Sequence, residues 1–391
     1  MFKKKSRDDV LSIFIVAYIV MSAFNSMTKA FFDDGSAVLK IVRILIYAVL
    51  AFLLLWSLMK MSLRMVCIFC GIEILAVLPY LFSLFIGVNN GLLLSWMFTA
   101  ITVCVPMLTF SFFIEDKNIL YKKFINISFI VFIILAIQCI TIKEDKFYDM
   151  GFSYAILFIC LLHFNNFIRT KKPIYCILFI VELVLMILYG SRGGLVCFIV
   201  FVVLRLIYSD IRRTKKLVLI SVLTLLSVLF VLLFVQYKDD IYSYLIANGL
   251  SSRTLGLIFR EEFFSHDSGR SVVWETTFTL INQKPLLGWG ISGASNLFGV
   301  DAIYPHQVFL DFMLTFGIPV GVILGIMFIT IPLYSMVKTK DCVSRDIIII
   351  LVSISIVMLM FSSTIFTNYY YCLLLGVCMK ELKDRRYGVK C

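Results

Sequence analysis

Arg192, Arg270 and His306 are the side chains of this chain whose types and settings could do polar chemistry. Arg192 lies in Tyr189-Gly190-Ser191-Arg192-Gly193-Gly194, where glycines flank a single guanidinium at the start of an apolar run. Free N–H groups at a helix start, together with a guanidinium, make an anion site. A glycine hairpin with an interfacial arginine fits the same spacing. Arg270 stands early in Ser268–Gly321, which continues through the turn Gly288-Trp289-Gly290 to Pro305-His306 and an apolar helix reaching Gly317. At a helix N-terminus the dipole disfavours imidazolium. His306 there would be neutral and able to accept a proton from a hydroxyl; a plain helix cap is the other reading of this residue. Glu261, Glu262, Asp267 and Asp301 are alternative bases in the same polar stretch.

What must position these groups is membrane-embedded helix. Of 391 residues, 61% are hydrophobic and 15% charged, and the mean hydropathy is +0.99, which excludes a soluble globular domain. Apolar runs long enough to cross a hydrocarbon core of about 30 Å recur throughout, and in lipid such runs must be helices. The runs lie at about 10–27, 38–59, 65–88, 92–114, 124–142, 152–168, 173–190, 194–209, 217–235, 306–337, 346–365 and 369–379. The expected fold is therefore an all-α polytopic membrane protein of about twelve transmembrane helices. Its parts are helices 1–9 over 1–235, one long extracytoplasmic loop over 236–305, and helices 10–12 with a cytoplasmic tail over 306–391. The first run lacks a small-residue cleavage pattern and reads as an uncleaved span.

Charge orients the bundle. With the N-terminus inside, the inner segments carry most of the lysines and arginines, from Lys3, Lys4, Lys5 and Arg7 through Arg212 and Arg213 to Arg385 and Arg386. This is the positive-inside pattern; it predicts cytoplasmic termini and an outward-facing long loop, and it accounts for the net charge of +12 without nucleic acid. Within the spans, Glu182 and Arg205 fall roughly 12 and 17 Å below the Ser191 turn on neighbouring antiparallel helices; long side chains can bridge that difference in a salt bridge, and an Arg205 snorkelling inward is the other reading. Glu73 has no evident partner in the sequence. The eleven cysteines are scattered, and Cys67 and Cys70 sit in an apolar helix with no second pair, so they read as small hydrophobes. No metal-ligand or nucleotide motif is found, and no cofactor or metal is implied.

Ser191-Arg192-Gly193-Gly194, the loop ending Pro285-Leu286-Leu287-Gly288-Trp289-Gly290, and His306 followed eleven residues on by Gly317-Ile318 together resemble the O-antigen ligase and Wzy-type polysaccharide polymerase family. The resemblance covers roughly Ile187 to Gly325. It implies a metal-independent glycosyltransferase of the cytoplasmic membrane, whose donor is an oligosaccharide on undecaprenyl pyrophosphate presented at the outer face. It assigns Arg192 and Arg270 to the pyrophosphate and His306 to the acceptor hydroxyl, with Gly193, Gly288, Gly290 and Gly317 positioning them. The expected activity is polymerisation of lipid-linked repeat units of capsular polysaccharide or O-antigen, onto a growing glycan acceptor. Ligation to lipid A core is the alternative, and a lipid-linked glycan flippase or transporter is an alternative of another class. Further expected partners are the lipid bilayer, a chain-length regulator and a flippase.

Overall fold

A computed structural model describes residues 2–32, 36–86, 90–141, 150–209, 236–244, 269–298 and 304–386, with isolated positions 214, 216, 221, 247 and 259. All regular structure among them is helical: α1 (Phe2–Phe31), α2 (Ala37–Lys60), α3 (Leu63–Ile86), α4 (Asn90–Thr99), α5 (Val105–Phe113), α6 (Lys117–Thr141), α7 (Met150–Thr170), α8 (Pro173–Tyr189), α9 (Arg192–Ile207), α10 (Arg270–Gln283), α11 (Val308–Lys338), α12 (Cys342–Phe361) and α13 (Tyr369–Arg386). A π-helix, Ala100–Cys104, joins α4 to α5, and a 3₁₀ turn, Ile365–Thr367, precedes α13. Among the described residues, eight helices are long and apolar enough to cross a membrane, α4 to α5 with its π-turn counting as one, and α8 is a shorter apolar helix. The expected ninth span, 217–235, lies outside the described residues apart from Ser221, so the total of twelve stays an expectation. The stretch expected as loop contains the helix α10 and a helical segment at 236–244.

Burial separates centre from periphery. In α12, 78% of the most apolar window is buried, and in α7 72%, against 11% in α2 and in α3. The Ile-rich run 347–350 of α12 packs on all sides, whereas α2 and α3 turn Ile44, Phe52, Leu75 and Phe85 outward to the lipid. Close aromatic pairs such as Phe14–Phe110, with centroids 5.1 Å apart, tie α1 to α5.

One end of the bundle is sewn by charge. Asp8 accepts from the Glu115 and Asp116 amides, both at 2.9 Å, Arg7 pairs with Glu115 at 3.1 Å, and Lys123 with Asp9 at 2.9 Å. Also here, Asp346 of α12 takes Arg169 of α7 and Arg205 of α9, each at 3.0 Å, and the Asn165 amide at 3.0 Å. Arg205 therefore does not form the salt bridge to Glu182 that the spacing along α8 and α9 allows. Glu182 instead meets His163 Nδ1 at 2.8 Å, and His163 Nε2 meets the Ser128 hydroxyl at 2.8 Å. The reason is packing order: α8 lies chiefly along α7, not α9, so each charge finds its partner on a third helix.

The run expected as a single span from 306 is two helices. Gly317 breaks α11 with φ 79° and ψ 166°, and the pieces fold back on each other. A Cβ on Gly321 would come within 2.6 Å of the Met313 Cα, and one on Gly325 within 2.7 Å of the Phe309 ring. Along one straight helix, residues eight apart would be about 12 Å apart. Residues 308–316 thus form a short arm lying antiparallel to the head of the long span.

Candidate functional site

At the end of the bundle opposite the Asp8 and Asp346 clusters, the arm, α10 and the glycine turn form one unit. α10 buries one face: Val273, Leu280 and Ile281 pack with Leu310 and Leu314 of the arm and with Ala294 and Phe298, while Val272 and Phe278 stay exposed. The glycine turn then hydrogen-bonds to the broken end of the arm. The Trp289 amide donates to the Leu314 carbonyl at 2.8 Å, Gly290 to Thr315 at 3.0 Å, and Ile318 to Pro285 at 2.7 Å. The first two bonds answer carbonyls that the end of the arm leaves without partners. Backbones this close leave no room for side chains: a Cβ on Gly288 would strike the Thr315 carbonyl, and one on Gly317 the Leu286 carbonyl. Both residues also have positive φ, 68° and 79°, a conformation that L side chains rarely adopt. Gly290 docks on α3, where the following Ile291 amide donates to the Ser83 hydroxyl at 2.8 Å. The Trp289 indole N–H donates to the Leu280 carbonyl at 2.8 Å, and Lys284 lies 4.0 Å over its ring.

That platform holds His306. The residue is half-buried with φ 56°, a left-handed backbone that costs energy but is commoner for His than for most residues. Its ring lies 4.3 Å from the Tyr304 ring, centroid to centroid. Tyr304 is fixed in turn by donation from its hydroxyl to the Ser362 carbonyl at 3.3 Å, and burial pushes its phenol up to about 12. The Trp274 indole N–H donates to the Pro305 carbonyl at 3.1 Å. His306 is not the helix cap. Gln307 is, its side-chain oxygen accepting from the Leu310 amide at 2.7 Å, and α11 begins only at Val308. A segment whose cap is supplied by its neighbour leaves the imidazole free for other work.

Arg270 is the first residue of α10, after Gly269 in the left-handed region. It stands one helical turn before Trp274, so both point to one face, and Trp274 touches the residue preceding His306. Burial first, and then the Arg270 guanidinium, hold the His306 ring below its ordinary value of 6.5. The imidazole is therefore neutral near pH 7, through desolvation and a nearby cation and not through capping.

Arg192 is the first residue of α9. The turn before it is held by Ser153, whose hydroxyl accepts from the Ser191 amide. Gly193 lies against Tyr154 and Ser362: a Cβ there would be 2.8 Å from the Tyr154 hydroxyl and 3.6 Å from the Ser362 hydroxyl. Ser362, at the end of α12, thus touches both the Arg192 turn and Tyr304. Close by, Thr364 donates to the buried carboxylate of Asp311 at 2.6 Å, fixing this connection against the arm. The structure accordingly brings the Arg192 turn, Arg270 and His306 to one end of the bundle. Glu261, Glu262, Asp267 and Asp301, the alternative bases, lie outside the described residues.

Four residues of this arrangement escape a reading of the sequence alone: Gln307, Tyr304, Trp274 and Ser362. Trp274 follows Arg270 at helical spacing and Tyr304 is two residues from His306, so each carried a faint signal. Ser362 carried none.

The arrangement sets an imidazole and two arginines at one end of a bundle of membrane-crossing helices, and these residues fall within one family match. A family model described as O-antigen ligase matches residues 176–325, from α8 through α10 to the arm and the first turns beyond Gly317. The match spans less than half of the chain and contains Arg192, Arg270, His306 and all four glycines of the site. Over these residues the chain is similar to the O-antigen ligase/Wzy-type family. No curated protein matches it.

Proposed function

We propose that this protein polymerises lipid-linked oligosaccharide repeat units at the outer face of the cytoplasmic membrane. The acceptor sugar hydroxyl attacks the anomeric carbon of a glycan carried on undecaprenyl pyrophosphate. A new glycosidic C–O bond forms, the bond from the anomeric carbon to the phosphate oxygen breaks, and polyprenyl pyrophosphate leaves with the electron pair. The hydroxyl proton passes to the neutral imidazole of His306 and from there to solvent. Arg192 and Arg270 hold the pyrophosphate and stabilise the charge that builds on it; fixed guanidinium groups suit this because their geometry is set before reaction and matches phosphate oxygens bidentately. The glycine-to-arm lock and the Tyr304–Ser362 contact keep base and cations in register.

One observation carries this reading: His306 stands beside Arg270 with its ring held neutral, while a separate residue caps the helix. A base next to an anion-binding cation is what transfer from a pyrophosphate requires. Ligation to lipid A core would use the same groups with a different acceptor. Deleting the gene and sizing the surface glycan tests the choice. Single repeat units on the surface are the outcome for a polymerase. Full-length glycan left on its lipid carrier marks a ligase, and repeat units trapped inside mark a flippase; either outcome would refute polymerisation.

A further inference from the structure

A polar cavity opens at the same end of the bundle, away from His306. It measures about 340 Å³ and is lined by Asn25 and Lys29 of α1, Arg43 and Tyr47 of α2, and Thr99 and Thr102 around the π-helix. That volume falls in the range of small-molecule sites, roughly 300–1,000 Å³. Its polar lining is two cations, an amide and hydroxyls, with no aspartate or glutamate among the described residues. Among the described residues, the buried Asn25 side-chain oxygen has no hydrogen-bond partner. A buried acceptor left this way is costly unless something donates to it, and a sugar hydroxyl would.

The position of the cavity is informative. Trp96 and Ala100 of the α4–π-helix segment join a buried cluster with Tyr80 and Ile291, against which Tyr304 packs. The Trp96 ring lies 6.4 Å from that of Tyr304. Thr99, Thr102 and Val103 of the same segment face the cavity instead. One helical segment therefore separates the cavity from the residues that hold His306, and its π-turn is a distortion that recurs at functional sites. In polymerisation both substrates are glycans on lipid pyrophosphate, and each transfer releases only one carrier.

We propose that this cavity binds the pyrophosphate-linked head of the second glycan lipid, the acceptor, while the Arg192 and Arg270 site takes the donor. Lys29 and Arg43 contact the phosphates, and Asn25, Thr99 and Thr102 take the first sugar. The identity of the occupant rests on the function proposed above; the anion site itself does not.

The test counts ligands on the purified full-length chain by native mass spectrometry, with farnesyl pyrophosphate as the probe and inorganic pyrophosphate as competitor. Wild type should bind two farnesyl pyrophosphates. The Lys29→Gln, Arg43→Gln variant should bind one, with affinity at the lost site reduced about tenfold or more; the retained site shows that this variant is folded. Arg192→Gln, Arg270→Gln should also keep one, and the four changes together none. Two ligands on the Lys29, Arg43 variant, or only one on wild type, would overturn the proposal. If inorganic pyrophosphate competes at the cavity as strongly as the farnesyl ester binds, the site takes a free anion and the lipid-head assignment falls. If instead the Arg192, Arg270 variant keeps both ligands while the cavity variant loses one, the donor assignment fails and the cavity stands.

Discussion

Placing alanine at Gly317 should uncouple the glycine turn from the arm that carries His306. The residue sits at φ 79° and ψ 166°, a region essentially reserved for glycine, where a side chain costs about 1–3 kcal/mol. The new Cβ would also strike the Leu286 carbonyl, so the turn must move away. The move breaks three backbone hydrogen bonds, Trp289 to Leu314, Gly290 to Thr315 and Ile318 to Pro285, each worth about 1 kcal/mol net. The combined effect is about 4–6 kcal/mol of local stability, enough to open a segment that is otherwise closed nearly all the time. Hydrogen exchange on the protein in nanodiscs reads this directly. The Trp289, Gly290 and Ile318 amides should lose at least a hundredfold in protection, while those of α12 should be unchanged. Gly71→Ala is the control, since a Cβ there meets nothing within 4 Å and should have no such effect. Unchanged protection at Trp289 and Gly290 in Gly317→Ala would refute the lock.

Other consequences follow from the same geometry. Gln307→Ala removes the cap and should cost about 1 kcal/mol of arm stability by hydrogen exchange, whereas Gln307→Asn should keep most of it. Because burial and Arg270 depress the His306 ring, transfer should hold at neutral pH and fall as acid passes a folded value below 6.5. Arg270→Gln should move that limb upward, measured on residual activity. The folded ring binds protons less readily than the unfolded one, so its contribution to stability is complete above about 6.5 and declines as pH falls towards the folded value. Glu182→Ala strands His163 in a fully buried pair and should cost about 3–5 kcal/mol, read as loss of folded protein on heating. Exchanging the two residues, Glu182→Arg with Arg205→Glu, should not rescue folding, because they are not each other's partners.

The sequence carried the helical spans in its long apolar runs, and it carried Arg192, Arg270 and His306 in the glycine and proline punctuation around them. What it concealed depends on contacts between distant segments. Nothing local to HQVFLDFMLTFGIPVG says that the helix doubles back at Gly317, because the reason is the backbone of Leu286 and Leu287 pressed against it. Glu182 and Arg205 looked like partners on adjacent helices. Their real partners come from α7 and α12, a matter of packing order that charge spacing does not encode. The cap at Gln307 was obscured by the histidine beside it: either residue could open a helix, and only the Leu310 hydrogen bond tells them apart. The π-helix at Ala100–Cys104 has no sequence signature at all, yet it divides the His306 surroundings from the cavity lined by Lys29 and Arg43.

The central claim, that the His306 imidazole takes the acceptor proton, is tested most directly by His306→Asn. Asparagine tolerates the left-handed backbone of this position, and the cap at Gln307 is untouched, so the arm should fold. It cannot act as a base near neutral pH. With purified lipid-linked repeat units and protein in proteoliposomes, transfer and donor binding are measured on the same preparation. The account predicts donor binding within a few-fold of wild type and transfer reduced by about 10²- to 10⁴-fold. Near-normal transfer by His306→Asn would contradict it.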